Sequence, residues 1–227
     1  LTSITFPQDS LLTSIGANAF SGASALTSIT FPQDSLLTSI GANAFKNTGI
    51  TTVLYNENNT MLLYYPDSLT STSFNIPESV TSIGDYAFSG ASALTSITIP
   101  ASIVSIGQHA FIGTGITTAL YNENNTTLVY YPDSLTSTSF TIPESVTSIG
   151  YNAFSGASAL TSIEIPVGVT SIGERAFIGT GITTVLYNEN NTTLAYYPDS
   201  LTSTSFTIPE SVTSIGDYAF SGASSLT

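Results

Sequence analysis

The sequence has no cysteine, no tryptophan, one histidine and only two basic residues, Lys46 and Arg175. Each shortage excludes a class of chemistry. Without cysteine there is no disulfide frame, no thiolate zinc site and no thiol nucleophile. Two cations cannot displace the counterions of a nucleic acid, so no nucleic-acid partner is expected. Fifteen acidic residues leave a formal charge of −13, which an anionic membrane surface repels. No apolar run approaches the roughly 20 residues of a bilayer span, so no membrane insertion is expected of this segment. The first residues lack the positively charged start of a signal peptide, and any targeting signal is expected outside the segment.

What is present is polarity without charge. The 227 residues include 35 Ser and 36 Thr, while only 7% are charged. A disordered Ser/Thr tract would be poor in Ile, Leu, Phe and Tyr; here they recur at regular intervals, which excludes disorder.

The intervals define a repeat. Residues 77–142 and 143–208 are two 66-residue blocks that differ at 11 positions. A shorter unit lies within them, opening at Leu1, Leu26, Ile50, Ser71, Leu94, Ile116, Ser137, Leu160, Ile182, Ser203 and Leu226, with spacings of 21 to 25 residues. A unit this short cannot bury its own apolar face, so neighbours must stack and share a core, as in a solenoid. In Leu94-Thr-Ser-Ile97-Thr-Ile99-Pro100, alternation turns Ile97 and Ile99 inward and Ser96 and Thr98 outward, which predicts a short strand closed by proline. The fold expected is a β-rich α/β solenoid with a ten-stranded parallel sheet on one face. The Ala-Phe pairs at residues 19–20, 44–45, 87–88, 110–111, 153–154, 176–177 and 219–220 predict short helical or 3₁₀ turns on the other. Every third coil replaces that turn by a segment such as Tyr121 to Pro132, whose aromatic and β-branched content predicts a second extended stretch. Residues 1–227 thus read as one solenoid of ten coils, and the ordinary repeats at both ends suggest a segment of a longer chain.

The pattern Leu-x-x-Ile-x-Ile-Pro…Val-x-x-Ile-Gly-x-x-Ala-Phe, as in Leu160 to Phe177, resembles the leucine-rich repeats of the BspA or Treponema pallidum type. The likeness covers the whole chain. One departure is that the family often has Cys where this chain has Ala91, Thr114, Ala157 and Thr180, a position that core filler can occupy. The resemblance implies a secreted or cell-surface protein acting in adhesion or partner binding, and it implies no catalysis.

Candidate chemistry is sparse. His109 is replaced by Arg175 one block later, which reads as a surface loop, and hydroxyls without a basic partner are not nucleophiles. No enzymatic activity is expected. Aligning coils by their strands sets Glu57 over Glu78, Glu123 over Glu144 and Glu189 over Glu210, with asparagines close by in sequence. Those residue types suit an all-oxygen calcium site at each pair; the other reading is that both carboxylates splay into water. No other cofactor is implied.

The sheet face carries two hydroxyl columns, represented by Thr95 and Ser96 and by Thr138 and Ser139. Stacked hydroxyls support a parallel ladder, and the same flat array suits a protein or glycan ligand. A third column varies: Thr98, Leu120, Thr141, Glu164 and Leu186 stand in it, and here specificity would be written. Leu54, Leu120 and Leu186 are expected to protrude from the hydroxyl face. The pairs Tyr64-Tyr65, Tyr130-Tyr131 and Tyr196-Tyr197 offer further anchors, one ring of each pair being expected in the core.

These readings converge on a non-enzymatic extracellular or cell-surface module for recognition or adhesion, binding protein or glycan through its sheet face. The alternative is a self-assembling rod of a surface layer, sheath or fibre, in which copies of the chain stack end to end through open parallel edges.

Overall fold

Strands of three residues form around an isoleucine or phenylalanine flanked by outward polar residues, although Ser205-Phe206-Thr207, with the same pattern, is not a strand. The computed structural model describes residues 1–32, 35–56 and 58–227, and its contacts group into two compact units, Leu1–Thr117 and Thr118–Thr227. In the first unit, Ser3–Thr5 pairs in parallel with Ser28–Thr30, and Ser73–Asn75 with Ser96–Thr98. In the second, Ser139–Thr141 pairs with Ser162–Glu164. Like sits on like: Ser139 faces Ser162 and Phe140 faces Ile163. Both units are therefore stacked coils with parallel strands, as expected of the solenoid.

The ten-stranded sheet is not what forms. Among the described residues the hydroxyl face consists of these three two-stranded sheets, because every third coil takes a different path. Those coils open after Gly49, Gly115 and Gly181, which press against the preceding coil; a Cβ on Gly115 would stand 2.5 Å from the Ser92 carbonyl oxygen. The chain then forms strands Leu54–Tyr55, Leu120–Tyr121 and Leu186–Tyr187 and folds straight back, antiparallel, into Met61–Tyr64, Thr127–Tyr130 and Thr193–Tyr196. The second extended stretch predicted for these coils is thus present, as the return strand of a hairpin.

That return strand joins the other face. There the Ser-Ile-Gly segments make two-residue strands, and Met61–Tyr64 pairs in parallel with Ser82–Ile83, which pairs with Ser105–Ile106. In the second unit Thr127–Tyr130, Ser148–Ile149 and Ser171–Ile172 repeat the arrangement. With its hairpin partner each becomes a four-stranded sheet, so the more continuous ladder lies behind the hydroxyl face.

The Ala-Phe segments are not helical; among the described residues there is no helix. The residue before each Ala-Phe pair stands in the left-handed region, as with Asn152 at φ 54° and Arg175 at φ 58°, so an α-helical ladder cannot propagate through it. The amides bond between coils instead. Asn152 N donates to Glu174 O at 3.2 Å, Phe154 N to Ala176 O at 2.8 Å and Gly156 N to Ile178 O at 3.0 Å.

Aromatic rings fill the interior behind these turns. Phe20 stacks on Phe45 at 5.4 Å and Phe45 meets Tyr64 at 5.1 Å. Phe154 and Phe177 stack at 5.4 Å, and Phe177 meets Tyr196 at 5.4 Å. The second tyrosine of each pair faces the next coil, Tyr65 against Phe88 at 5.2 Å and Tyr197 against Phe220 at 5.2 Å. A Tyr-Tyr pair therefore carries the ring stack across a coil that has no Ala-Phe turn. Both rings are buried in the pairs Tyr64-Tyr65 and Tyr196-Tyr197, which corrects the expectation of one outer ring there, while in the third pair Tyr131 is buried and Tyr130 half-buried. Ala91 and Ala157 are buried filler, while Thr114 and Thr180 each donate a hydroxyl to the Phe carbonyl three residues back, at 2.8 Å.

Candidate functional site

The hydroxyl columns are exposed on each two-stranded sheet, and their backbone partners show what the hydroxyls are for. Thr95 Oγ1 donates to Thr72 O at 3.1 Å and Thr161 Oγ1 to Thr138 O at 3.1 Å, each to the coil before. The second threonine of each pair thus commits its proton to the stack and offers solvent only oxygen lone pairs. Ser96, Thr138 and Ser139 are exposed beside them.

The variable column is ordered by pairs. Thr98 Oγ1 donates to Asn75 Oδ1 at 2.9 Å, and Thr141 Oγ1 to Glu164 Oε2 at 2.8 Å, in both cases between residues directly opposite in register. Glu164 is thereby oriented on the sheet surface. The leucines assigned to this column do not protrude: Leu54, Leu120 and Leu186 are 8%, 8% and 7% exposed. The hairpin turns their strand edge-on to the core, so a residue that alternation sends outward on a continuous sheet goes inward here.

In the second unit the sheet pair and the following hairpin enclose a groove of about 390 Å³. Thr141, Glu144 and Glu164 line it from the paired coils, and Tyr187, Asn188 and Glu189 from the hairpin. Backbone bonds hold the two sides together: Ile165 and Asn188 form an isolated parallel bridge, and Glu189 N donates to Ile165 O at 2.8 Å. Asn188 is buried because its side chain organises the turn; Oδ1 accepts from Thr192 N at 2.8 Å and Thr193 N at 2.9 Å. Burial raises the Tyr187 phenol above its ordinary pKa, so it faces the groove neutral. The groove thus combines an aromatic wall, a hydroxyl, and carboxylates with open lone pairs, a mixture that suits ligands rich in hydroxyl and N–H groups.

The carboxylate pairs follow the coil register. Thr127 faces Ser148 and Thr193 faces Ser214, an offset of 21 residues that also separates Glu123 from Glu144 and Glu189 from Glu210. All four are exposed, as is Glu78, whereas Glu57 lies outside the described residues and its pairing with it. Among the described residues no three His, Cys, Asp or Glu side chains gather closely enough to hold a metal ion. Glu144, Glu164 and Glu189 are spread around the groove rather than focused on one point.

His109 is exposed, with φ at 52°, and its ring stacks on Tyr86 at 5.4 Å. Tyr187 and Asn188 are the groove residues that sequence reasoning passed over. Their signal was the Tyr-Asn-Glu-Asn-Asn run, which reads as part of the extended stretch and is silent about the coil it leans on.

A family model described as BspA type leucine rich repeat region matches the chain in six copies, over residues 1–65, 63–132 and 129–227. Among solved structures the chain is similar to a leucine-rich repeat protein from Eubacterium ventriosum, at 26% identity and a TM-score of 0.44 over all of this chain and 59% of that one. It is also similar to the pneumococcal vaccine antigen PcpA, at 20% identity and a TM-score of 0.44 over all of this chain and 61% of that one. A leucine rich cell surface protein from Faecalibacterium prausnitzii is 26% identical, with a TM-score of 0.42 over 79% of this chain and 57% of that one. The chain spans about three fifths of the length of the first two. No curated protein matches it.

Proposed function

The chain belongs to the BspA-type leucine-rich-repeat family, and from that premise we propose that it is a non-enzymatic recognition or adhesion module of the cell surface or extracellular space. It holds a protein or glycan through the hydroxyl-lined sheet face. The observation that carries this reading is the groove between the Thr141–Glu164 pair and the Tyr187–Glu189 hairpin. Its lining accepts hydrogen bonds on several sides and offers one aromatic wall, which is how hydroxyl-rich and amide-rich ligands are held against water. The hydroxyl columns of the paired strands Ser139–Thr141 and Ser162–Glu164 extend that surface at strand spacing. The surplus of negative charge speaks for a neutral or basic partner and against an acidic one.

The test is binding of the purified chain to immobilised extracellular-matrix proteins and to a glycan array, beside the variants Glu164→Thr and Tyr187→Ala. Saturable binding by the native chain that both variants weaken supports the groove. Absence of binding to either class, together with fibres seen by light scattering and microscopy without ligand, turns the assignment to the self-assembling rod.

A further inference from the structure

The second unit has another recess, on the turn face and away from the hydroxyl columns. Between ordinary neighbouring coils the Gly-x-x-Ala-Phe turns bond through alternate residues, as from Asn152, Phe154 and Gly156 to the carbonyls of Glu174, Ala176 and Ile178. The coil opening at Ile182 has no such turn. The amides of Arg175, Phe177 and Gly179, which the repeat aims at the next coil, donate to no backbone carbonyl among the described residues. On the far side Ala219 O accepts from Tyr197 N at 2.7 Å, but the carbonyls of Asp217 and Ser221, equivalent to Glu174 and Ile178, receive no backbone amide among the described residues. A notch of about 230 Å³ lies between these walls, with Asp199 and Tyr196 at its floor.

Both walls place long side chains on a strained backbone. Arg175 at φ 58° and Tyr218 at φ 57° occupy the left-handed position that Asn18, Asn43 and Asn152, and also Tyr86 and His109, take in other coils. Asparagine tolerates that conformation better than arginine or tyrosine, so the long side chains are kept there against a local backbone cost. Tyr218 is 57% exposed at the rim. Asp199 and Asp217 line the notch together with Arg175, whose guanidinium pairs with Glu174 at 3.6 Å. The first unit contains the same omission, flanked by Asn43, Lys46, Asp67 and Tyr86, yet its notch has closed to about 10 Å³.

We propose that the notch of the second unit binds a short extended peptide segment bearing a basic residue, contributed by a partner protein. The segment takes the place of the absent turn. Its carbonyls accept from the amides of Arg175 and Gly179, its amides donate to the carbonyls of Asp217 and Ser221, and its cation lies between Asp199, Asp217 and the Tyr218 ring. Matching donors on one wall and acceptors on the other, at two-residue spacing, favour a peptide backbone over a sugar, whose hydroxyls have no such fixed alternation. Water satisfies these groups in the free protein and is displaced on binding.

The probe is the capped peptide acetyl-Gly-Ala-Asn-Ala-Ala-Lys-Asn-amide, a turn sequence of this family of coils with alanine where Tyr196 and Tyr197 already fill the phenylalanine's place. Fluorescence polarisation and amide shifts of the isotope-labelled full chain are measured together. Expected are saturable binding, shifts centred on Arg175, Gly179 and Ser221, and a loss of roughly threefold to tenfold for each probe amide that is N-methylated. The double variant Arg175→Asn, Ile178→Lys, which copies the walls of the closed notch, is expected to abolish binding with the melting temperature retained. Tyr218→Asn, which relaxes the backbone, is expected to weaken binding while the fold gains stability. The proposal is overturned if the probe does not bind, if N-methylation leaves its affinity unchanged, if the shifts lie at Thr141, Glu164 and Tyr187, or if mono- and disaccharides occupy the notch and the peptide does not.

Discussion

The hydroxyl face and the face behind it are built from the same repeat, yet strands continue across every coil type only on the second. On the front, Ser139–Thr141 and Ser162–Glu164 pair with each other and stop. Behind, Thr127–Tyr130 supplies the strand that its coil omits in front, and the ladder runs on through Ser148–Ile149 to Ser171–Ile172. Continuity therefore depends on where the third coil spends its extended residues, and the front is left as separate platforms divided by hairpins. The consequence is functional: a platform edge beside a hairpin is where the groove of Thr141, Glu164 and Tyr187 opens.

Removing what both faces share has the largest expected effect. Phe154 is fully buried and meets Tyr131 at 5.3 Å, Phe140 at 6.0 Å and Phe177 at 5.4 Å, so it touches rings of three coils. Phe154→Ala is expected to cost about 3–5 kcal/mol, read as a shift of the urea midpoint. A loss under about 1 kcal/mol would mean that the ring stack is not what joins the faces.

Leu186 tests the boundary between the two arrangements. On a continuous front sheet its side chain would point to solvent and Leu186→Ala would be close to neutral. Buried in the hairpin, it is expected to cost about 2–4 kcal/mol in the same measurement. The outcome separates a ten-stranded front from a divided one.

Sequence reasoning reached the coil length, the inward isoleucines and the Ala-Phe anchors because each depends on a local period of two or on a repeat of about 22 residues. It misplaced Leu54, Leu120 and Leu186 because alternation assigns a face only while the strand stays in one sheet. Gly49, Gly115 and Gly181 mark the change of path, but a glycine in a sequence does not say which neighbour presses on it. The turns were read as helical from Ala and Phe, whereas the left-handed residue before them decides otherwise. The groove was half legible: Thr141 and Glu164 stood in the variable column, while Tyr187 and Asn188 arrive from another coil through a bridge to Ile165. Contacts between residues about 23 apart follow from register, but contacts to a hairpin tip do not.

Alkaline pH probes the rear ring stack selectively. Burial first, and then the negative charge of Asp67 or Asp199, raises the phenol pKa of Tyr64 and Tyr196 above the ordinary value. Below about pH 10 both folded and unfolded chains hold these phenols neutral, so stability is flat. Above it the unfolded chain ionises first, and stability falls as pH rises toward the folded pKa. The melting temperature is expected to fall above that pH, with tyrosinate absorbance appearing together with unfolding, and Tyr64→Phe with Tyr196→Phe is expected to flatten the decline. An unchanged decline would assign the alkaline sensitivity to other tyrosines, Tyr65 and Tyr130 first, whose phenols are also raised by burial.

The smallest effect distinguishes what the front hydroxyls do for the fold from what they do for a ligand. Thr161→Val keeps the β-branched shape and removes only the hydroxyl that donates to Thr138 O. An exposed bond of this kind contributes about 0.5–1 kcal/mol, so the melting temperature is expected to move by a few degrees at most. Thr141→Val removes a different bond, the one that orients Glu164 at the groove, and its backbone partners stay in place. It is expected to leave stability within about 0.5 kcal/mol and to weaken partner binding more than Thr161→Val does. Equal effects of the two variants on binding would mean that the whole hydroxyl face acts as a uniform surface and that the groove confers no preference.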